Sequence, residues 1–523
     1  MTDLLHELIT FQAARAPDAT ALIHKKTCLS YRQLTDELER VANGLLGLGL
    51  RRGERVAVYL PKMPQTVAAM FGASAAGGVF VPVNPQLKPA QVGYILRDCN
   101  VRYLITSPDR AAQLSGMLAE CPDLRALILS NGTADKLRDF PLLPHTWEDL
   151  SDTPKHSPHA CIDADIAAIL YTSGSTGRPK GVVLSHRNML AGAASVASYL
   201  ENHADDRLLA VLPFSFDYGL SQLTTAFHVG ASVVLMDYLL PRDVIRGVAK
   251  HQITGLAAVP PLWNQLADLE WPEEARSLRY ITNSGGAMPI ATTNKLRASL
   301  PDTDVYLMYG LTEAFRSSYL PPDQVDERPD SMGKAIPNAE LMVVRPDGSE
   351  CDANEPGELV HRGALVALGY WNDKEKTAER FKPVPAQPDG LPLTEIAVWS
   401  GDQVRRDEEG YLYFIGRNDE MIKTSGYRVS PSEVEEVLYA SGLITEAVAL
   451  GLSHPRIGQG ILLICTAEQP DEDNLLLHCK QQLPNFMVPH AIRYLDNLPR
   501  NPNGKIDRKA LAEQHKDIFQ DAS

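Results

Sequence analysis

The stretch Tyr171-Thr-Ser-Gly-Ser-Thr-Gly-Arg-Pro-Lys-Gly-Val-Val-Leu-Ser-His186 constrains this chain more than any other. An apolar run, Ile166 to Leu170, leads into it, and a second apolar run follows its single lysine. Glycines at 174, 177 and 181 open backbone conformations closed to other residues, so amide N–H groups can converge on one point. The hydroxyls of Thr172, Ser173, Ser175 and Thr176 add donors, and Lys180 adds a full positive charge. Such a loop suits the phosphates of a nucleotide. It is not a Walker A loop, because Pro179-Lys180-Gly181 stands where Gly-Lys-Ser/Thr is required; Gly504-Lys505 fails too, since Ile506 follows. A Ser/Gly/Thr-rich loop also fits a surface linker. The strand-like flanks and the Pro-Lys-Gly weigh against that.

The preceding residues repeat a helix–turn–strand rhythm. Leu34 to Leu48 has helical spacing, Arg51-Arg-Gly-Glu54 turns, and Val56 to Leu60 reads as a buried strand. A helix near 66–76 with the strand Val79–Val83, then a helix near 90–98 with Tyr103–Thr106, repeat the order. Alternating strands and helices predict parallel sheets with helices on their faces. The uncharged stretch 64–83 contains Pro64, Gly72, Gly77, Gly78 and Pro82, which predicts a buried helix and strand, not a membrane span.

Between 340 and 415 the segments become short and β-rich, predicting a small β-subdomain; past 420 a compact α+β unit follows. There Ser430-Pro-Ser-Glu433 has the pattern of a capping box, with Pro431 at the first helical position. The boundary is placed at 417–421, giving a large domain of 1–418 and a smaller one of 419–523. The fold class is thus α/β: a large N-terminal domain of parallel-rich sheets sandwiched by helices, a small β-subdomain, and a small mobile α+β C-terminal domain. The net charge of −15 disfavours general affinity for nucleic acid or anionic membrane. It also makes each cation inside a motif more telling. The seven cysteines are scattered with no metal-ligand spacing, as expected of reduced thiols in a cytoplasmic protein without structural zinc. The N-terminus, with acids in its first turns, is unlike a signal peptide.

The loop 171–186 resembles the phosphate-loop signature of the adenylate-forming superfamily: acyl-CoA synthetases, amino-acid adenylation domains and luciferases. Tyr309-Gly-Leu-Thr-Glu313, Ser400-Gly-Asp402, Gly416-Arg-Asn-Asp419 with Lys423-Thr-Ser-Gly-Tyr-Arg428, and Asn503-Gly-Lys-Ile-Asp507 follow in that family's order. The resemblance implies that ATP, Mg²⁺ and CoA (or a phosphopantetheinyl carrier protein) are used to activate a carboxylic acid. It implies Thr172, Ser173, Gly174, Ser175, Thr176, Gly177 and Lys180 around the phosphates, and Thr312 on a phosphate. Glu313 would be the metal-side carboxylate, since Mg²⁺ on ATP is usually held by one or two protein oxygens plus phosphates. Tyr309-Gly310 and the segment Gly285-Gly286-Ala287 would flank the adenine, and Asp402 with Arg417 would hold the ribose. Lys505 would enter during adenylation and leave afterwards, Asp419 would be the pivot, and Gly426 would line a narrow thiol tunnel.

The acid is left open. In Leu212-Pro-Phe-Ser-Phe-Asp-Tyr-Gly-Leu220, Phe216 stands where many acyl-CoA synthetases carry histidine. Asp217 could pair with a substrate α-ammonium, as in amino-acid adenylation domains, or could cap the following helix. Arg316 could face a second carboxylate or a carrier's phosphate arm, with a surface role the expectation. The preferred reading is a stand-alone acyl-CoA ligase acting on a small-molecule acid. The alternatives are an enzyme that loads a carrier protein in trans and, disfavoured by the full set of polar motif residues, a non-catalytic acyl-nucleotide binder.

Overall fold

The computed structural model describes residues 2–520 apart from 133–141, 143, 153, 173–177, 388–389, 418–420, 468 and 500–505. Two sheets build the body. The seven-stranded one runs from Pro144–Thr146 through Ala126–Leu129, Val101–Thr106, Arg55–Tyr59, Val79–Pro82 and Ile166–Thr172 to Lys180–Ser185. Only its last pair is antiparallel. The nine-stranded one has a parallel centre: Thr20–His24, Ser232–Leu235, Arg207–Ala210, Gly255–Ala258, Tyr280–Asn283 and Asp304–Tyr309, in that spatial order. Antiparallel strands close both edges.

The sequence explains this layering. Val79–Pro82 and Ser232–Leu235 are buried at every position, as strands covered on both faces must be. The helix Tyr31–Gly47 buries Leu34, Leu38, Val41 and Leu45 along one stripe. Ser30 and Gln33 close its start reciprocally, as a capping box. The uncharged stretch forms the helix Pro64–Ala75 and the strand Val79–Pro82, and one apolar core joins that helix to both sheets. Among the described residues no helix is long and apolar enough to cross a membrane.

Five antiparallel strands, Ala339–Val344, Gly357–Gly363, Phe381–Pro383, Ile396–Arg406 and Leu412–Arg417, form the β-subdomain. From Ile422 a fourth sheet begins, with Glu446–His454 and Gly458–Thr466 at its centre. It has its own core of Val434, Leu438, Ile461, Leu463 and Leu475. One local expectation fails here. The helix Pro431–Ser441 starts where predicted, but Ser430 Oγ is buried without a partner and makes no cap. Glu433 instead faces the large domain, where its Oε1 accepts from Gln91 Nε2 at 3.0 Å. A buried contact between domains has taken the side chain that the local motif needed.

Candidate active site

A cavity of about 640 Å³ opens where the parallel strands of both sheets end, against the small domain. Residues just past the C-terminal ends of successive strands line it: Lys62, Asn84, Phe216, Tyr238, Ser284 and Gly310 among them. Ligands of open α/β sheets bind at such strand ends. The opposite wall is a hairpin of the small domain, Ile422–Thr424 and Tyr427–Val429. Ser425 and Gly426 turn it with φ of 50° and 82°, the positive pair of a tight hairpin turn. Gly426 lies so close to the body that a Cβ there would sit 2.7 Å from Val259 Cγ2.

At one end of the cavity the strands Ile166–Thr172 and Lys180–Ser185 pair so that Thr172 lies opposite Lys180. The intervening Ser173, Gly174, Ser175, Thr176 and Gly177 lie outside the described residues. Tyr171 OH donates to Asp98 Oδ2 at 2.5 Å, and Tyr94 OH donates to the Pro179 carbonyl, so the two shoulders of the loop are tied to one helix. The segment Leu368–Trp371 then adds to the edge strand through backbone bonds to Gly181 and Val183. That addition sets Lys180 Nζ 4.9 Å from the centre of the Tyr370 ring, and Tyr370 OH donates to Glu313 Oε1 at 2.6 Å. Burial lowers the Lys180 pKa; Glu313 opposes this, while Arg380, Arg428 and Lys376 lower it further. Lys180 thus sits among several cations, with the buried Glu313 nearby and Glu379 paired to Lys376 at 2.9 Å. Tyr370, Arg380 and Lys376 belong to none of the motifs read from the sequence.

Next to this cluster the strand Asp304–Tyr309 delivers Tyr309, whose OH donates to Asp402 Oδ2 at 2.5 Å. Asp402 is buried, and across its strand pair the register partner is Arg417. His361, also absent from the sequence reading, stacks on Tyr309 with ring centres 6.0 Å apart. Burial lowers its pKa to about 4, against the pull of Asp402 and Glu313, so it is neutral near pH 7. Gly285 takes φ +81°, and a Cβ there would approach Val259 and Phe216; Gly286 abuts Pro260, while Ala287 is exposed. Asn283 Nδ2 donates to the Gly286 carbonyl and fixes this turn.

Elsewhere along the cavity two residues differ from expectation. Asp217 begins the helix Asp217–Val229 but makes no side-chain cap. Its carboxylate accepts from Arg316 Nη1 at 3.3 Å and from Thr312 Oγ1 at 3.3 Å. Burial raises the Asp217 pKa and Arg316 lowers it. Arg316 is not on the surface: it is 3% exposed. The cause is a γ-turn at Phe315, with φ 56° and ψ −46°, closed by Arg316 N–H donating to the Ala314 carbonyl at 2.6 Å. A positive φ at a bulky residue is strained and persists where the surroundings enforce it. Here the packing of Phe315 on Gly192 does so. The turn drives the guanidinium inward. Asp419 and Lys505 lie outside the described residues.

The sequence model of the AMP-binding enzyme family matches residues 9–371, and that of the AMP-binding enzyme C-terminal domain matches 433–505. The chain is 31% identical to the L-proline–[L-prolyl-carrier protein] ligase of Pseudomonas fluorescens, over 98% of this chain and 99% of that protein. It is 31% identical to the sulfoacetate–CoA ligase of Cupriavidus necator, over 97% of each. A linear gramicidin synthase polypeptide of Brevibacillus parabrevis is 30% identical over 97% of this chain, which spans only 6% of that protein. Among solved structures, a double mutant of o-succinylbenzoate CoA synthetase from Bacillus subtilis with a product analogue superposes at a TM-score of 0.82. It is 25% identical, with 97% of this chain and 98% of that chain covered. The same enzyme with its acyl-adenylate intermediate, again 25% identical, gives 0.67 over 96% and 97%. With a large and a small family domain matched in order along one chain, this protein belongs to the AMP-binding enzyme family.

Proposed function

We propose that the protein is an AMP-forming acid–thiol ligase that makes an acyl-adenylate and then a thioester. In the first step a carboxylate oxygen attacks the α-phosphorus of ATP, the bond to the bridging oxygen breaks, and pyrophosphate leaves. In the second a thiol sulfur attacks the acyl carbonyl, the bond to AMP breaks, and the thiol proton is released. The observation that carries this reading is a lysine, Lys180, joined through Tyr370 to the buried Glu313 beside a cavity whose far wall is a domain hairpin. Phosphoryl chemistry of this kind is mainly positioning and charge stabilisation.

In this reading Thr172, Lys180 and the loop 173–177 hold the phosphates. Tyr309, Gly310 and the Gly285–Ala287 turn flank the adenine, and Asp402 with Arg417 anchors the ribose. Glu313 offers one buried carboxylate beside the cation cluster, a donor set that suits the Mg²⁺ carried by ATP. When bound, that ion supplies neutralising charge to the phosphates. Thr312, whose hydroxyl bonds Asp217 here, links the phosphate end to the acyl end. Lys505 neutralises charge between acid and phosphate, after which the lid (419–523) turns about Asp419 and brings Gly426 to the site. The close contact of Gly426 with Val259 supports the thiol-accepting arrangement as the one described here. So does the better superposition on the product-analogue complex than on the acyl-adenylate complex of one enzyme.

CoA is the preferred acceptor, and the cytoplasm the preferred location. A carrier protein in trans is the second reading, favoured by a full-length relative that is a carrier-protein ligase. The Asp217–Arg316 pair weighs against an α-amino acid, because the carboxylate that would take the ammonium already has an internal counter-ion. Pyrophosphate release measured with ATP and a panel of fatty, aryl, hydroxy, dicarboxylic and amino acids tests the first step. Thioester formation with CoA, then with a phosphopantetheinylated carrier, tests the second. ADP as the nucleotide product rules the reading out.

A further inference from the structure

Beside the acyl end lies a second, much smaller chamber of about 30 Å³. Arg316 is common to its wall and to the main cavity. Four polar atoms of its lining residues are buried without a hydrogen-bond partner: Arg316 Nε and Nη2, Gln222 Oε1 and Thr225 Oγ1. Tyr218, by contrast, is satisfied through Thr282 at 2.6 Å. A buried group left unpaired costs roughly 1–3 kcal/mol, more when it is charged, so four together call for an occupant.

The chamber's chemistry narrows that occupant. Arg316 is already neutralised by Asp217 at 3.3 Å, so a charged guest would bring an uncompensated charge into a buried site. The two guanidinium nitrogens, with three N–H groups between them, need acceptors, Gln222 Oε1 needs a donor, and the Thr225 hydroxyl serves as either. The volume admits only a small polar group of a few non-hydrogen atoms. An uncharged group that both accepts and donates meets all three conditions.

We propose that this chamber is the terminal subsite for the acid, receiving a hydroxyl or carboxamide on the tail remote from the reacting carboxyl. The hydroxyl or carbonyl oxygen accepts from Arg316, and the hydroxyl O–H or amide N–H donates to Gln222 Oε1. The substrate class is then an oxygen-bearing monocarboxylic acid, not a plain fatty, dicarboxylic or amino acid. This rests on reading the main cavity as the site of acid activation.

The test is acid-dependent pyrophosphate release, measured as kcat/KM, with acids matched in length and ending in hydroxyl, carboxamide, methyl, carboxylate or ammonium. The hydroxyl or carboxamide acid is expected to lead its methyl counterpart by on the order of 100-fold or more, because the methyl leaves the polar groups unpaired. Gln222→Leu and Thr225→Val should shrink that ratio to a few-fold by slowing the polar acid alone. Thr225→Val removes only an unpaired atom and Gln222→Leu gives up one long contact to the Tyr218 carbonyl at 3.4 Å, so their thermal midpoints should hold or rise. Arg316→Lys keeps the charge opposite Asp217 but loses the guanidinium fork, and should also flatten the preference. Equal rates for methyl and polar tails, an unchanged ratio in Gln222→Leu, or a best substrate ending in carboxylate or ammonium would each overturn the inference, with the chamber holding water alone. Pyrophosphate release from every acid without preference removes this inference only; release from none removes the adenylation reading beneath it as well.

Discussion

The two ends of the cleft handle charge in opposite ways. At the proposed nucleotide end Lys180 is buried near Arg380, Arg428 and Lys376 as well as Glu313, and burial with these cations lowers its pKa. At the proposed acyl end Asp217 and Arg316 form a buried pair of opposite charge. The first arrangement is unfavourable until an anion arrives, and so it selects one. The second is satisfied in charge but not in hydrogen bonds, and so it selects polarity without charge. Charged side chains at the first end should therefore be expendable for folding, whereas neither partner of the pair at the second should be.

The largest effect expected from this contrast is on stability at the acyl end. Arg316→Ala strands Asp217 as a buried carboxylate and should cost about 3–5 kcal/mol in urea unfolding. The double variant Asp217→Asn/Arg316→Met removes both charges and should recover most of that loss. Equal destabilisation by the single and double variants would show that the pair is not coupled. At the nucleotide end Lys180→Met should lower kcat/KM for adenylate formation on the order of 10²–10³-fold. Its thermal midpoint should be unchanged or higher, since burial and neighbouring cations already disfavour the charge there. A fall in stability matching the fall in activity would erase the contrast.

Much of the nucleotide end was legible because its residues sit in contiguous motifs. Lys180, Tyr309, Glu313 and Asp402 were each expected near phosphate, adenine, metal or ribose; the fold links Lys180 to Glu313 through Tyr370 and Tyr309 to Asp402, beside the Thr172, Gly310 and Thr312 that line the cavity. Tyr370 and Arg380 were not legible: Tyr370 arrives through a segment that pairs with the edge strand from far along the chain, and Arg380 ends the helix that follows. The acyl end was misread because its decisive feature is a backbone conformation. Nothing in Ala-Phe-Arg-Ser announces a γ-turn, so Arg316 read as a surface residue. At Ser430 the local pattern was present, yet Gln91, distant in sequence, recruited Glu433 away from it. Layering, by contrast, was legible from continuous apolar runs such as Val79–Val83, which burial on both faces requires.

A smaller effect separates the two half-reactions. Gly426→Leu places a side chain where φ is +82° and Val259 is already in contact. Thiolysis of the acyl-adenylate should fall on the order of 100-fold, as for other misplacements near a reacting centre, while adenylation stays within a few-fold. Parallel loss of both would deny Gly426 a role in the thiol path.

The smallest effect concerns how the two domains meet. Burial raises the Glu433 pKa from its ordinary 4.5 to about 7, partly offset by Gln91. The folded state then holds a proton that the unfolded chain releases, so this group's contribution is most favourable below about pH 4.5. It is lost progressively as pH rises to about 7, beyond which the penalty is constant. Glu433→Gln should therefore be more stable than the parent by roughly 1–3 kcal/mol near pH 8 and equal to it near pH 4. A pH-independent difference would place the carboxylate outside this contact.

The most direct test of the whole account is to time the two half-reactions separately in Lys505→Ala. Adenylate formation from ATP and acid should fall on the order of 10²-fold or more, while supplied acyl-adenylate is converted to thioester at close to the parent rate. Unchanged adenylation, or equal loss of both steps, would contradict a cleft that is completed for each step by a different face of the same lid.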